Sequence, residues 1–221
     1  MKLIQRQGYL DFLRRNRNRP IVKVVSGIRR CGKSTLFMLF KDELLSEGVK
    51  PEQIISINFE ELEYEHLRDY HALYQYILER MQPDEMNYIF LDEIQHVDQF
   101  HRVVDSLFVK ENTDLYITGS NAYFMSSDIA TLLTGRYVEI QMLPLSFSEF
   151  YHSKYDGNQY SLIPAYESYL RESSFPYTQQ LGGEDFDIQE YLRGLYNTLL
   201  LHDVVARLKI NDVTILQDIV R

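Results

Sequence analysis

Apolar residues alternate between two rhythms from the N-terminus to about residue 142. Short β-branched or aromatic runs bounded by turn residues predict strands at Ile21–Val25, Ile54–Phe59, Tyr88–Asp92, Leu115–Thr118 and Tyr137–Met142. Between them, spacings of three and four predict helices. One covers residues 3–17, with Leu3, Ile4, Tyr9, Leu10 and Leu13 mostly on one stripe; others cover Thr35–Lys41, His71–Met81, Phe100–Lys110 and Asp128–Leu133. Glu47-Gly48-Val49-Lys50-Pro51 reads as a turn, Glu60 to Glu65 as an acidic connector, and Gln82-Pro83-Asp84 as a helix breaker. Strands alternating with helices argue for a parallel sheet covered on both faces. Pro144 changes the pattern. Beyond it the chain reads as helices at Ser146–His152, Pro164–Arg171, Ile188–Lys209 and Val213–Arg221, with loops at Lys154–Ser161 and Pro176–Asp185. The expected organisation is an α/β core over 1–143 and a helical lid or extension over 144–221. The last helix reaches the C-terminus without a stop signal, which predicts a cut before a further domain.

The first strand and helix enclose Gly27-Ile28-Arg29-Arg30-Cys31-Gly32-Lys33-Ser34-Thr35, a complete G-x-x-x-x-G-K-[ST] phosphate-binding loop. The pattern carries meaning only between a strand and a helix, and it sits there. Glycines let backbone N–H groups curl round the β- and γ-phosphates, and the helix N-terminus adds its positive end. Lys33 is expected to reach the β/γ oxygens and the Ser34 hydroxyl to ligate Mg²⁺. The third strand ends in Asp92-Glu93. Asp92 is placed to hold Mg²⁺ through its water shell, and Glu93 to polarise a water for in-line attack.

An Asp-Glu pair at that strand end suits a hydrolase of the additional-strand type, with a five-stranded parallel sheet in the order 5-1-4-3-2. A small-molecule kinase needs no such glutamate, and a GTPase needs an Asn-Lys-x-Asp guanine reader that is absent from the sequence. ATP is the nucleotide left by elimination. At the end of the fourth strand, Ser120 and Asn121 both suit a polar group that senses γ-phosphate, with Asn121 slightly preferred for its paired donor and acceptor. Arg136, just before the fifth strand, can reach a nucleotide held by a neighbouring subunit, which implies a homo-oligomer; its bland alternative is a surface ion pair. Arg207 is a weaker lid arginine, because Asp203 lies four residues earlier on the same helix face. Cys31, inside the loop at a helix N-terminus, is expected to have a lowered pKa.

Composition narrows the remaining classes. The chain has 221 residues, 45% hydrophobic and 25% charged, as in ordinary globular proteins. No apolar run is long enough for a membrane helix, and the N-terminus lacks a signal-peptide core. Cys31 is the sole cysteine, so a cytoplasmic protein without an intrachain disulfide is expected. The net charge of −9 is uneven, since residues 1–35 hold ten of the 23 Lys/Arg but one acid, Asp11. Arg14, Arg15, Arg17 and Arg19 read as either a DNA-binding face or a solvated helix end. The shortness of the patch and its few aromatics favour the second.

With both motifs in place, the chain resembles the prokaryotic AAA-like ATPases whose phosphate loop reads Gly-x-Arg-Arg-x-Gly-Lys-Ser, relatives of the archaeal ATPase and STAND groups. The likeness is carried by Gly27–Thr35, Leu91-Asp92-Glu93-Ile94-Gln95, Thr118-Gly119-Ser120-Asn121, Leu133-Thr134-Gly135-Arg136 and Leu143-Pro144-Leu145-Ser146-Phe147-Ser148-Glu149-Phe150. Phe175-Pro176 departs from it, lacking the usual preceding Gly-Gly. The resemblance implies ATP and Mg²⁺ binding, hydrolysis, and a helical extension followed by winged-helix and nuclease-like parts that this chain would stop short of. The leading expectation is an Mg²⁺-dependent ATPase that drives or gates a downstream effector. The rival is a switch that binds ATP or ADP and turns over slowly if at all. A small-molecule kinase comes third.

Overall fold

The computed structural model describes residues 3–120, 133, 135–155, 160–181 and 185–198. Their contacts divide the chain into two compact units. One is Gln5–Leu143, and the other takes the described residues from Pro144 onward with the short segment before Gln5.

The first unit is built on β1 (Val22–Gly27), β2 (Ile54–Asn58), β3 (Asn87–Asp92), β4 (Thr113–Ser120) and β5 (Tyr137–Met142). They pair in the order β2-β3-β4-β1-β5, every neighbouring pair parallel. This is the order 5-1-4-3-2 expected from the Asp-Glu motif, read from the other edge. Its helices are α1 (Gln7–Asn16), α2 (Lys33–Ser46), α3 (Tyr70–Leu78) and α4 (Phe100–Phe108). Asp69 caps α3, its carboxylate accepting the Ala72 N–H at 2.9 Å. Of residues 60–65, read as a connector, 62–65 belong to a 3-10 helix at Leu62–Arg68.

The central strands are buried on both faces, and side chains alternate between two cores. Val24, Ile89, Leu91, Leu115 and Ile117 face one way, with Leu73, Ile77, Val103, Val104 and Leu107 from α3 and α4. Val25, Tyr88, Phe90 and Tyr116 face the other, with Leu36, Phe37, Phe40 and Leu44 of α2 and Leu10 and Leu13 of α1. On this second face Phe90 stacks on Tyr116 at 4.7 Å between centroids, and Phe37 meets Phe90 edge-on at 5.2 Å.

Helix α1 begins at Gln7 rather than residue 3. Arg6 leaves helical geometry (φ −96°, ψ 76°), and its buried guanidinium donates to the Cys31 carbonyl at 3.2 Å and the Leu143 carbonyl at 2.6 Å. A tertiary tie thus overrides the local helical pattern. The basic end is also occupied within the chain. Arg14 binds Glu43 through two nitrogens at 2.6 and 2.7 Å, and Arg17 pairs with Glu47. That pairing accords with a solvated helix end.

Below the aromatic layer lies a buried polar cluster. Lys23 and Asp114, whose side chains are both 0% exposed, form an ion pair between β1 and β4. Lys23 Nζ also donates to the Arg19 carbonyl at 2.9 Å, and Asp114 Oδ2 accepts from Asn18 N–H at 2.8 Å and Tyr116 O–H at 2.7 Å. Each charge is paired and hydrogen-bonded, the condition under which burial is tolerated.

In the second unit, α5 (Phe147–Tyr155) opens with a reciprocal cap. Glu149 N–H donates to Ser146 Oγ at 3.2 Å while Ser146 N–H donates to Glu149 Oε2 at 2.8 Å. Phe150 packs against Tyr169 of α6 (Leu162–Glu172), whose hydroxyl donates to the Leu145 carbonyl at 2.8 Å. A 3-10 turn at Pro176–Gln180 occupies part of the expected loop, and α7 (Asp185–Thr198) covers the start of the helix expected from Ile188. The expected helices Asp128–Leu133 and Val213–Arg221, together with Gly182-Gly183, Asp203 and Arg207, lie wholly or mostly outside the described residues.

Substituting Lys23→Met strands the Asp114 carboxylate in the interior, and urea unfolding is expected to show a loss of about 3–5 kcal/mol. The double variant Lys23→Met/Asp114→Leu should recover most of it. A single-variant loss below about 1 kcal/mol would show that the pair does not hold β1 to β4.

Candidate active site

Three strands end together, and their side-chain alternation decides what meets there. On the α2 face, β1 presents Lys23, Val25 and Gly27; β3 presents Tyr88, Phe90 and Asp92; β4 presents Asp114, Tyr116 and Thr118. Phe90 pairs with Tyr116 and Val25 with Thr118, so the same register sets Asp92 beside Thr118 under the loop.

The loop leaves β1 at Gly27, where a Cβ would lie 2.4 Å from the Met142 carbonyl oxygen and 2.9 Å from Cys31 Sγ. Only glycine fits that approach. Arg30 is exposed at φ 62°, and Gly32, at φ 105°, is the left-handed residue from which α2 starts. Helix α2 has no side-chain cap, so its first N–H groups, on Lys33, Ser34 and Thr35, point out of the helix as an anion-binding cradle. Lys33 is 4% exposed, and its Nζ donates to the Gly27 and Ile28 carbonyls at 3.2 and 3.4 Å.

The two acids stand opposite. Asp92 is 6% exposed, and burial pushes its carboxyl above the usual carboxylate range. Hydrogen bonds from the Ser34 and Thr118 hydroxyls act the other way, as does the nearby charge of Lys33. A hydroxyl and a buried carboxylate in contact make an oxygen donor set suited to a small hard cation. Among the described residues no cluster of three or more His, Cys, Asp or Glu could hold a metal alone.

Glu93 is 7% exposed, and its Oε1 lies 3.1 Å from Lys33 Nζ. Its backbone is left-handed (φ 54°, ψ 48°), a conformation that costs a bulky residue about 1–2 kcal/mol. The Thr118 hydroxyl helps hold it there, accepting the Glu93 N–H at 2.8 Å while donating to Asp92 Oδ1. Thr118 thus positions both acids, a role separate from the γ-phosphate sensing expected of Ser120 or Asn121. The strand period was the signal for it, since Thr118 shares the face of Tyr116. Ser120 is buried at the end of β4, and Asn121 lies outside the described residues. Gln95 was also missed: its Nε2 donates to Glu93 Oε2. So was Arg6, on the Cys31 carbonyl.

The structure brings Gly27, Lys33, Ser34, Asp92 and Glu93 together but not Arg136. Val22 aligns with Tyr137 and Gly27 with Met142, so Arg136 sits at the opposite end of the sheet. That is six residues of strand from the loop, ~20 Å at 3.3 Å per residue. There it pairs with Asp105 at 3.2 Å, over the Phe108 ring. A cavity of about 300 Å³ lined by Arg19, Phe108 and Lys110 lies at that same end, far from the phosphate loop.

The family model described as "AAA domain" matches residues 19–151, from just before β1 to past the end of β5. The chain belongs to the AAA domain family. This AAA module is 38% identical over 221 residues to a Haemophilus influenzae protein named only "Uncharacterized protein", covering 99% of this chain and 54% of that one. It is 30% identical over 208 residues to a likewise uncharacterised Methanocaldococcus jannaschii protein, covering 87% and 44%. The chain thus spans about half the length of the curated relatives it matches. In fold it is similar to a Walker-type ATPase of Pyrococcus abyssi, with a TM-score of 0.60 and 15% identity, over 90% of this chain and 73% of that one. The module is an ATP-binding P-loop NTPase domain of the prokaryotic AAA-like type. None of its described helices is long and apolar enough to cross a membrane.

Cys31 corrects one expectation. The thiol is fully buried, and burial pushes it above the usual thiol value, against the opposing charges of Lys33 and Arg6. As the sole cysteine it gives a single-site readout. Alkylation at pH 8 is expected to run at least tenfold slower in folded protein than in urea, because the thiolate is both scarce and shielded. Equal rates would show that the loop does not enclose it.

Proposed function

We propose that this AAA module hydrolyses ATP in a Mg²⁺-dependent reaction and passes the resulting change to a further part of the longer proteins it resembles. The observation that carries the reading is the meeting of Glu93 with Lys33 at 3.1 Å, beside the Asp92–Ser34 oxygen pair. Lys33 would stabilise charge on the β- and γ-phosphates, and Ser34 and Asp92 would hold Mg²⁺ with phosphate oxygens and water completing its shell. The cation would supply charge neutralisation at the breaking bond. Glu93, buried and adjacent, would take the proton of the attacking water. Asn121 is proposed as the γ-phosphate sensor. Arg136 is too far along the sheet to serve its own site, so its proposed role is on the nucleotide of a second copy in a homo-oligomer. DNA gains no support from the paired Arg14 and Arg17.

The second reading, a slowly turning switch between ATP and ADP states, draws support from the same ion pair. A glutamate oxygen occupied by the loop lysine is not open to a water until bound phosphate draws the lysine away.

Phosphate release separates the two. Glu93→Gln is expected to lower it by roughly 10²-fold or more with nucleotide binding retained, whereas Lys33→Ala loses binding. Release that is unchanged in Glu93→Gln would overturn the role of Glu93. Tightly held ADP with negligible turnover in the wild type would favour the switch.

A further inference from the structure

We propose that Gln95 is a working part of the hydrolytic site: it fixes one oxygen of Glu93 and accepts the second hydrogen of the water that Glu93 activates. The inference rests on the hydrolytic reading above.

The two oxygens of Glu93 have different partners. Oε1 faces the Lys33 ammonium at 3.1 Å, and Oε2 accepts from the Gln95 amide nitrogen. These partners differ in what they do when ATP is present. Lys33 is a flexible cation, and phosphate on the loop competes with Glu93 for it. Gln95 is neutral, has no attraction to phosphate comparable with that of an ammonium, and sits on a rigid support. Glu93, left-handed, opens a 3-10 turn over Ile94–His96, closed by His96 N–H on the Glu93 carbonyl at 3.2 Å and Val97 N–H on the Ile94 carbonyl at 2.9 Å. Ile94 and Val97 are both buried in the core, so the turn is pinned on either side of Gln95. When phosphate takes Lys33, Oε2 stays held and Oε1 is the oxygen released to accept a proton.

The other end of the same amide carries the stronger indication. Gln95 Oε1 is buried and has no hydrogen-bond partner in the protein. A buried acceptor left unpaired costs about 1–3 kcal/mol, so a donor is called for at that point. The amide cannot be turned over to relieve this, because its oxygen would then face the Glu93 carboxylate, an acceptor only. A water donating one hydrogen to Glu93 Oε1 and the other to Gln95 Oε1 satisfies both groups and leaves a lone pair for phosphorus. In the step itself a bond forms from the water oxygen to the γ-phosphorus as the bond from that phosphorus to the β,γ-bridging oxygen breaks. ADP leaves with the electron pair, Glu93 receives one proton, and the second stays on the new phosphate oxygen, directed by Gln95. With two acceptors the water has one orientation, where a lone carboxylate allows several.

The test compares wild type, Gln95→Met, Gln95→Glu and Glu93→Gln by steady-state phosphate release, by titration with a fluorescent ATP analogue, and by urea unfolding. Gln95→Met keeps the length of the side chain and removes both polar ends. It is expected to lower kcat roughly 10- to 100-fold, with KM and analogue affinity within about threefold of wild type and an unchanged urea midpoint. A packing role alone would move the urea midpoint and leave kcat near wild type. Should Gln95→Met fail to fold, Gln95→Glu carries the test. It keeps an acceptor but sets a second carboxylate against Glu93, so a fall of at least tenfold supports the inference and an unchanged kcat overturns it. If Glu93→Gln abolishes release while the Gln95 variants stay within about twofold of wild type, Gln95 has no such part and the hydrolytic reading stands. If Glu93→Gln releases phosphate like wild type, or wild type releases none, both are overturned.

Discussion

The site depends on the Thr118 hydroxyl, which accepts the N–H of Glu93 and donates to the carboxylate of Asp92. It ties the tip of β4 to the tip of β3 at the one place where the β3 backbone leaves extended geometry for a left-handed turn. Without an acceptor there, the Glu93 N–H would be buried and unmatched, and a glutamate has little intrinsic reason to stay at positive φ. A hydroxyl answers both needs because it donates and accepts at once. Two buried acids are thereby held adjacent where β3 ends.

That hydroxyl is in position because the strand register is fixed elsewhere. The α2 face of the three central strands reads as a column. At its foot Lys23 and Asp114 are paired, in the middle Phe90 and Tyr116 stack against Phe37 and Phe40 of α2, and at its head Asp92 and Thr118 meet. A one-residue slip of β4 would send Asp114, Tyr116 and Thr118 together to the other face, into the core formed with α3 and α4. The ion pair has specific partners where a hydrophobic contact would not, so it discriminates against that slip. Fold and site are two ends of one alternating pattern.

Much of this was legible in the residues. The strands, their order, the phosphate loop and the Asp-Glu pair follow from local pattern and motif spacing, which are properties of short stretches of chain. What escaped depended on distant partners. Helix α1 starts late because Arg6 is drawn to two carbonyls, one of them at Leu143, that no local window includes. Cys31 looked activated by its helix terminus, yet the packing that buries it outweighs that effect. The positioning role of Thr118 had no motif to mark it, although period-two alternation already set Thr118 on the face of Asp92. Gln95 carried no sequence signal beyond its place in the motif, because its importance lies in which oxygen of Glu93 it touches.

Arg6 joins two places that the chain itself keeps far apart. Its guanidinium grips the carbonyl of Cys31 within the phosphate loop and that of Leu143, the last residue before the chain passes into the helical unit. One side chain thereby sets the spacing between the phosphate loop and the residue that follows β5.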